Sequence, residues 1–158
     1  MKAKTKIIIG RLESISLPDL AIDDLPVRID TGAQTSSLHV DNIKKFHKNG
    51  KLSVKFDIHP DIHNVSSIVP CSAYIYDIRM IKSSNGSTEQ RYVIKTPMIL
   101  GENTWPIEIT LTDRSDMSYL MLLGREAMKD RVLVDPSKVF LESGHDRKPE
   151  NKKVLPEG

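Results

Sequence analysis

Arg28-Ile29-Asp30-Thr31-Gly32-Ala33-Gln34-Thr35-Ser36 places a carboxylate at the end of an apolar stretch (Val27, Ile29) and follows it with a hydroxyl and a glycine. A buried strand can deliver such an acid. A glycine two residues on lets the backbone turn beneath it, and its N–H can reach the carboxylate. The Thr31 hydroxyl can tie the loop to a partner. Asp and Gly are also favoured in ordinary turns, so the four letters Asp30–Ala33 alone equally suit a strand end. The motif occurs once in 158 residues.

A second signal lies far downstream, in Tyr119-Leu120-Met121-Leu122-Leu123-Gly124-Arg125-Glu126-Ala127-Met128. An apolar strand runs into a glycine and then into a helix start. Retroviral-type aspartic peptidases carry this pair of elements in this order, packed together beneath the active site, and the chain resembles them at both places. The resemblance implies that Asp30 is catalytic and that Thr31, Gly32 and Ala33 form the active-site loop. Gly124 would give room where the helix start meets that loop.

The length of 158 residues suits one domain. With 39% hydrophobic residues, 8 glycines and 9 prolines, the composition is globular and rich in turns. A net charge of +2 does not argue for nucleic acid or for a membrane surface as partner. One cysteine, Cys71, cannot form an intramolecular disulfide and fits a reducing compartment. Lys2, Lys4 and Lys6 precede only Ile7–Ile9, too short an apolar run for a signal peptide or a span. A cytoplasmic protein is expected. Residues 1–143 read as the domain, and 144–158, polar, charged and twice interrupted by proline, as a disordered tail.

The pattern along the chain is mostly β. Ile7–Leu17 reads as a strand broken near Gly10, and Leu25–Asp30 as the strand feeding the Asp loop. Ser36–His39 follows as a short strand. Asp41–His47 suits a helical turn capped by Asp41. Lys51–Ile58 alternates strictly, and Ser72–Ile81 does so similarly. Ser83-Ser84-Asn85-Gly86-Ser87 is a hairpin tip, because Asn-Gly favours turns with positive φ. Glu89–Lys95 returns from it. Trp105–Thr112 and Leu120–Leu123 are further strands, Arg125–Asp130 is a short helix, and Val132–Leu141 closes the sheet region. The expected fold is all-β, a closed barrel with one or two short helices.

Beyond the two motifs, the span from about Gly10 to Ser143 is similar to a bacterial retropepsin-like family that often carries the label "ATP-dependent zinc protease". The similarity rests on several stretches: Leu17-Pro18-Asp19-Leu20, Ile29–Leu38 with His39, His59-Pro60, Arg79–Arg91, Trp105-Pro106-Ile107-Glu108, Leu111-Thr112-Asp113-Arg114, Met121–Met128 and Val134-Asp135-Pro136. It implies a retropepsin-like, acid-protease barrel. One departure is Gln34, where the family usually has arginine after Asp-Thr-Gly-Ala. The zinc and ATP of the label have no motif here. There is no Gly-x-x-x-x-Gly-Lys-Ser/Thr loop and no His-Glu-x-x-His, so neither cofactor nor metal is expected. The residues able to ligate zinc are His39, His47, His59, His63 and Cys71. On a strand His59 and His63 would stand about 13 Å apart.

A lone Asp is half of an aspartic catalyst, which needs two carboxylates sharing one proton. A homodimer supplying Asp30 twice is the economical solution. The hairpin from Arg79 to Lys95 is the natural flap, with Asn85 and Gly86 at its tip. Arg79 and Arg91 upon it suit an acidic peptide or protein substrate, since arginine binds carboxylates bidentately. The resemblance points the same way, because the family keeps company with glutamate-ligating ATP-grasp enzymes. Ordinary ion pairs of these arginines with Asp77 or Glu89 are the alternative. Cys71 reads as a small packed residue rather than a nucleophile, and Trp105 as core or dimer surface. His39 reads as a packed strand-end residue that could also touch the site. A non-catalytic peptide-binding module and a zinc hydrolase are the competing functions.

Overall fold

The computed structural model describes residues 5–59, 68–82, 85–113 and 119–143. The first strands are β1 (Ile7–Ile9), β2 (Leu12–Leu17) and β3 (Ile22–Ile29), with a single 3-10 turn at Pro18–Leu20 between the last two. β4 (Ser36–His39), β5 (Asp41–Lys48), β6 (Lys51–Ile58), β7 (Val69–Tyr74), β8 (Asp77–Lys82), β9 (Thr88–Leu100) and β10 (Asn103–Thr112) follow. β11 (Met121–Leu123), the one-turn helix α1 (Arg125–Met128) and β12 (Val132–Val134) complete the order.

Six strands close on themselves in the order β10-β4-β11-β3-β2-β9, with β9 pairing back to β10, and β8 hangs on β9 outside the ring. This is the expected all-β, retropepsin-like closed barrel with two short helical pieces. Closure removes free sheet edges. The interior is aliphatic: Val27, Leu38, Ile94, Met98, Ile109, Met121 and Leu123 are all fully buried. β3 shows the cause in its sequence, because Ile22, Leu25, Val27 and Ile29 point inward while Pro26 and Arg28 face out. Trp105 is core, its indole N–H donating to the Ala127 carbonyl at 2.9 Å.

Outside the ring, β5, β6 and β7 form a three-stranded antiparallel sheet, and β1 pairs in parallel with β12. The helical turn expected at Asp41–His47 is instead β5. Ile43 and Phe46, three residues apart, imitate helical spacing. They fall on opposite sides of the strand: Ile43 packs on the core, while Phe46 stands on the side of Lys44 and Lys48. Asn49 and Gly50 (φ +53° and +78°) supply the two-residue hairpin turn that forces the pairing with β6. The Asn85-Gly86 tip differs, because five residues separate the paired Lys82 and Thr88.

The strand expected over Ser72–Ile81 is two strands. At the junction the Ile75 N–H donates to Leu52 of β6 and the Tyr76 N–H to Val93 of β9, so the chain passes from one sheet to the other within two residues. Val132–Leu141 is a strand only to Val134. Pro136 cannot extend it, and the rest is held by Glu13. This carboxylate is fully buried on β2. It accepts from the N–H groups of Gly10 (2.7 Å), Leu141 (2.9 Å), Glu142 (3.4 Å) and Ser143 (2.9 Å), and from the Ser143 hydroxyl (2.6 Å). The segment 144–158 lies outside the described residues, as do Ser83 and Ser84 of the tip.

Glu13→Ala strands these donors in a buried site, which costs about 2–4 kcal/mol. Urea unfolding should show that loss of stability, and limited proteolysis should then cut beyond Val134.

Candidate active site

β3 ends at Ile29 and delivers Asp30 to the protein surface, where it is half-buried. Its backbone N–H donates to Leu123 of β11 (2.9 Å), continuing the parallel pairing of Val27–Ile29 with Met121–Leu123. The chain then turns. The Gly32 N–H donates to Asp30 Oδ1 at 3.0 Å, and the Ala33 N–H to the Asp30 carbonyl at 3.2 Å. One carboxylate oxygen is therefore fixed by the loop itself, and the side chain stays accessible at the strand end. Thr31 and Gly32 are exposed.

The downstream motif lies against this loop. The N–H groups of Arg125 and Glu126 donate to the carbonyls of Ala33 (2.8 Å) and Gln34 (3.0 Å). The Gly124 N–H donates to the Ser36 hydroxyl at 3.0 Å, and Arg125 Nη1 to the Gly32 carbonyl at 3.2 Å. Gly124 is a glycine because of this approach. A Cβ there would stand 2.7 Å from the Thr35 carbonyl carbon and 3.0 Å from the Ala33 oxygen. The positions Asp30, Thr31, Gly32, Ala33 and Gly124 thus lie in one backbone-bonded unit. Ser36 and Arg125 were not singled out by the sequence. The Gly-Arg pair and the Ser at the head of β4 were its only traces.

The β8–β9 hairpin stands beside this loop. A cavity of about 490 Å³ lies between them, walled by Gln34, Thr35, Arg79, Met80, Glu108 and Glu126. Arg79 and Arg91 are directly opposite in the register of the two strands. Each guanidinium has carboxylate partners: Arg79 bonds Asp77 and Glu108, both at 2.7 Å, and Arg91 bonds Glu89 at 2.9 Å. The hydrogen bond from Arg79 holds the Asp77 carboxyl below its usual range. At the tip, Asn85 Oδ1 accepts from the Ser87 N–H and hydroxyl (3.0 and 2.8 Å), and Gly86 has φ +91°.

Of the residues able to bind zinc, only His39 and His59 come near one another among the described residues. His39 and His59 both approach Asp41, with Nε2 at 3.8 and 2.9 Å. Their buried Nδ1 atoms have no hydrogen-bond partner among the described residues. His47 is on β5 opposite Leu52, Cys71 is on β7 opposite Phe56, and His63 lies outside the described residues. Among the described residues no group of three or more His, Cys, Asp or Glu is arranged to hold a metal ion. Burial, with Asp57 nearby, pushes the Cys71 thiol up to about 11, which suppresses the nucleophilic thiolate. No helix among the described residues is long and apolar enough to cross a membrane.

The chain is similar to known proteins over most of its length. The family model described as RimB-like, "retropepsin-like aspartic endopeptidase RimB", matches residues 8–145. A "probable alpha-L-glutamate ligase" of Shewanella pealeana is 47% identical over 135 residues, 85% of this chain and 30% of that protein. One of the same name from Desulfotalea psychrophila is 45% identical over 132 residues, 84% of this chain and 28% of its own length. The chain therefore spans under a third of these relatives. A crystal structure of a Legionella pneumophila protein of unknown function superposes with a TM-score of 0.73 at 28% identity, covering 87% of this chain and 99% of that one.

Gly124→Ala must displace the Thr35 backbone, at a cost of about 1–3 kcal/mol. Thermal unfolding should report that loss. Any activity that depends on Asp30 should fall further than in a Glu13→Gln protein of matched stability.

Proposed function

The chain belongs to the RimB-like, retropepsin-like family, and on that premise we propose that it is one half of a homodimeric aspartic peptidase. The observation that carries this reading is the Asp30 loop: an accessible carboxylate at a strand end, one oxygen fixed by the Gly32 N–H, on a turn bonded from beneath by Gly124–Glu126. The sequence holds the Asp-Thr-Gly-Ala motif once. Two subunits related by a two-fold axis would bring two Asp30 carboxyls together, sharing one proton because two like charges so close cannot both ionise. The ionised member takes a proton from a water molecule as that water attacks the scissile carbonyl. The protonated member hydrogen-bonds the carbonyl oxygen as it becomes tetrahedral, and a proton then passes to the leaving nitrogen. Exposed Thr31 would brace the partner's loop. The β8–β9 hairpin would close over the peptide and exclude water.

The substrate class we infer is an acidic or glutamylated polypeptide tail. The relatives named for glutamate ligation, of which this chain spans under a third, support a link to glutamate addition. Arg79 and Arg91 would reach a substrate carboxylate by exchanging Asp77, Glu108 or Glu89 for it, because both are paired in the free chain. The single cysteine suits a reducing compartment such as the cytoplasm.

Asp30→Asn should abolish cleavage of a peptide library sampled from pH 4 to 7, while circular dichroism and sedimentation stay those of the wild type. A wild-type protein that cleaves nothing, or one stopped by a chelator but not by a statine-type inhibitor, would sink the proposal. Arg79→Ala with Arg91→Ala should lower kcat/KM for acidic peptides about tenfold or more, as expected for lost charge-assisted bonds, and spare neutral peptides. Equal losses on both would refute acidic selectivity.

A further inference from the structure

The three-stranded sheet carries a second basic surface that the peptidase chemistry does not use. Its inner side packs Val54, Phe56 and Ile58 on the core. Its outer side presents Lys44 and Lys48 from β5 and Lys51 and Lys55 from β6, all exposed. The register sets Lys44 directly opposite Lys55, and Lys48 directly opposite Lys51. Like charges placed directly across a strand pair oppose sheet formation, yet two such pairs share one face. None of the four forms an ion pair among the described residues. The two aspartates in register at the far end of the pair are already held, Asp57 by the Asn42 amide at 2.8 Å and Asp41 by His59 Nε2 at 2.9 Å. A groove of about 660 Å³ runs along the face, lined by Lys44, Phe46, Lys48, Lys55, Asp57 and Ser72. On the same face the Lys51 ammonium lies 5.2 Å from the ring centre of exposed Tyr74. The whole chain has a net charge of only +2, so this face holds a local excess that the rest of the molecule offsets.

We propose that this face is a docking site for a glutamate-rich polypeptide segment, separate from the Asp30 loop. Its substrate class rests on the function proposed above. Lys44 and Lys48 stand about 13 Å apart along the strand, and an extended peptide presents same-face side chains about every 7 Å, so alternate ones of these meet the two lysines. No other strand pairs with β5 among the described residues, which leaves its outer edge for such a peptide to lie along. The Phe46 ring in the groove lowers the local dielectric around those contacts. The site would raise the local concentration of an acidic tail at the enzyme.

The test uses the full chain carrying Asp30→Asn, so that binding is read without turnover and an absence of peptidase activity bears on the catalytic reading alone. A fluorescent ten-residue oligoglutamate is titrated by anisotropy. Lys44→Gln, Lys48→Gln and Lys55→Gln together should weaken binding about tenfold, three exposed ion pairs' worth. The charge-matched control Lys6→Gln, Lys129→Gln and Lys138→Gln should change it less than about twofold, by the same small surface contributions. Removing the lysine pairs relieves repulsion, so the variant should melt no lower than its parent. Equal weakening by both sets, or no weakening by the first, overturns the proposal. Single-stranded RNA of equal charge binding this face more tightly than oligoglutamate overturns it too.

Discussion

The close approach of Gly124 to the backbone of Ala33 and Thr35 is the constraint on which the site depends. A single Cβ at that position would stand 2.7 Å from the Thr35 backbone. Without one, the strand end of β11 and the turn after β3 lie together, and the N–H groups of Arg125 and Glu126 find the carbonyls of Ala33 and Gln34. Those N–H groups are the unpaired donors of a helix start, and the carbonyls are the unpaired acceptors of a turn. Each element answers the other's unmet hydrogen bonds. The direction of Asp30 follows, because its own N–H is fixed to Leu123 at one end of the same unit.

Much of this was legible in the sequence where local pattern and tertiary role agree. β4 and β6 run over the residues expected for them, Ser36–His39 as a short strand and Lys51–Ile58 by its alternation. The barrel follows from many short strands punctuated by turns. Failures occurred where a local signal has two physical readings. Ile43 and Phe46 are spaced as on a helix, but the Asn49-Gly50 turn makes the segment half of a hairpin, and pairing overrides propensity. Ser72–Ile81 reads as one β-rich stretch, and local pattern cannot reveal that partners change at Ile75 and Tyr76. Glu13 left no trace, since a carboxylate between Leu12 and Ser14 looks like the solvent side of a strand. Only the returning Leu141–Ser143 backbone, about 130 residues away, explains its burial. At the site, the glycines and the acid announced themselves, whereas Ser36 acts through a single hydroxyl with nothing unusual around it.

The charges of the molecule divide into two kinds. The arginines of the β8–β9 hairpin sit in tight carboxylate pairs, with Arg79 bridging Asp77 on its own strand and Glu108 on β10. Such bridges hold the hairpin to the barrel wall. Among the described residues Lys44, Lys48, Lys51 and Lys55 of the outer sheet have no such partners and face each other instead. Planar guanidinium groups suit the bidentate, partly buried role, and flexible ammonium groups the solvated one.

The buried Glu13 carboxylate has a further consequence, for the order in which the chain can fold. It joins residues of the second strand to Leu141–Ser143, and β1 lies parallel to β12. Both contacts tie the first part of the domain to its last, so the loop-closure entropy of nearly the whole domain is lost before either forms. Until Val134 has been synthesised β1 lacks its partner strand, and until Ser143 has been synthesised Glu13 has only the Gly10 N–H among the donors that surround it in the native state. High contact order of this kind predicts slow closure. It also makes the completed seam an all-or-none signature of the native state, because no shorter part of the chain can satisfy that carboxylate.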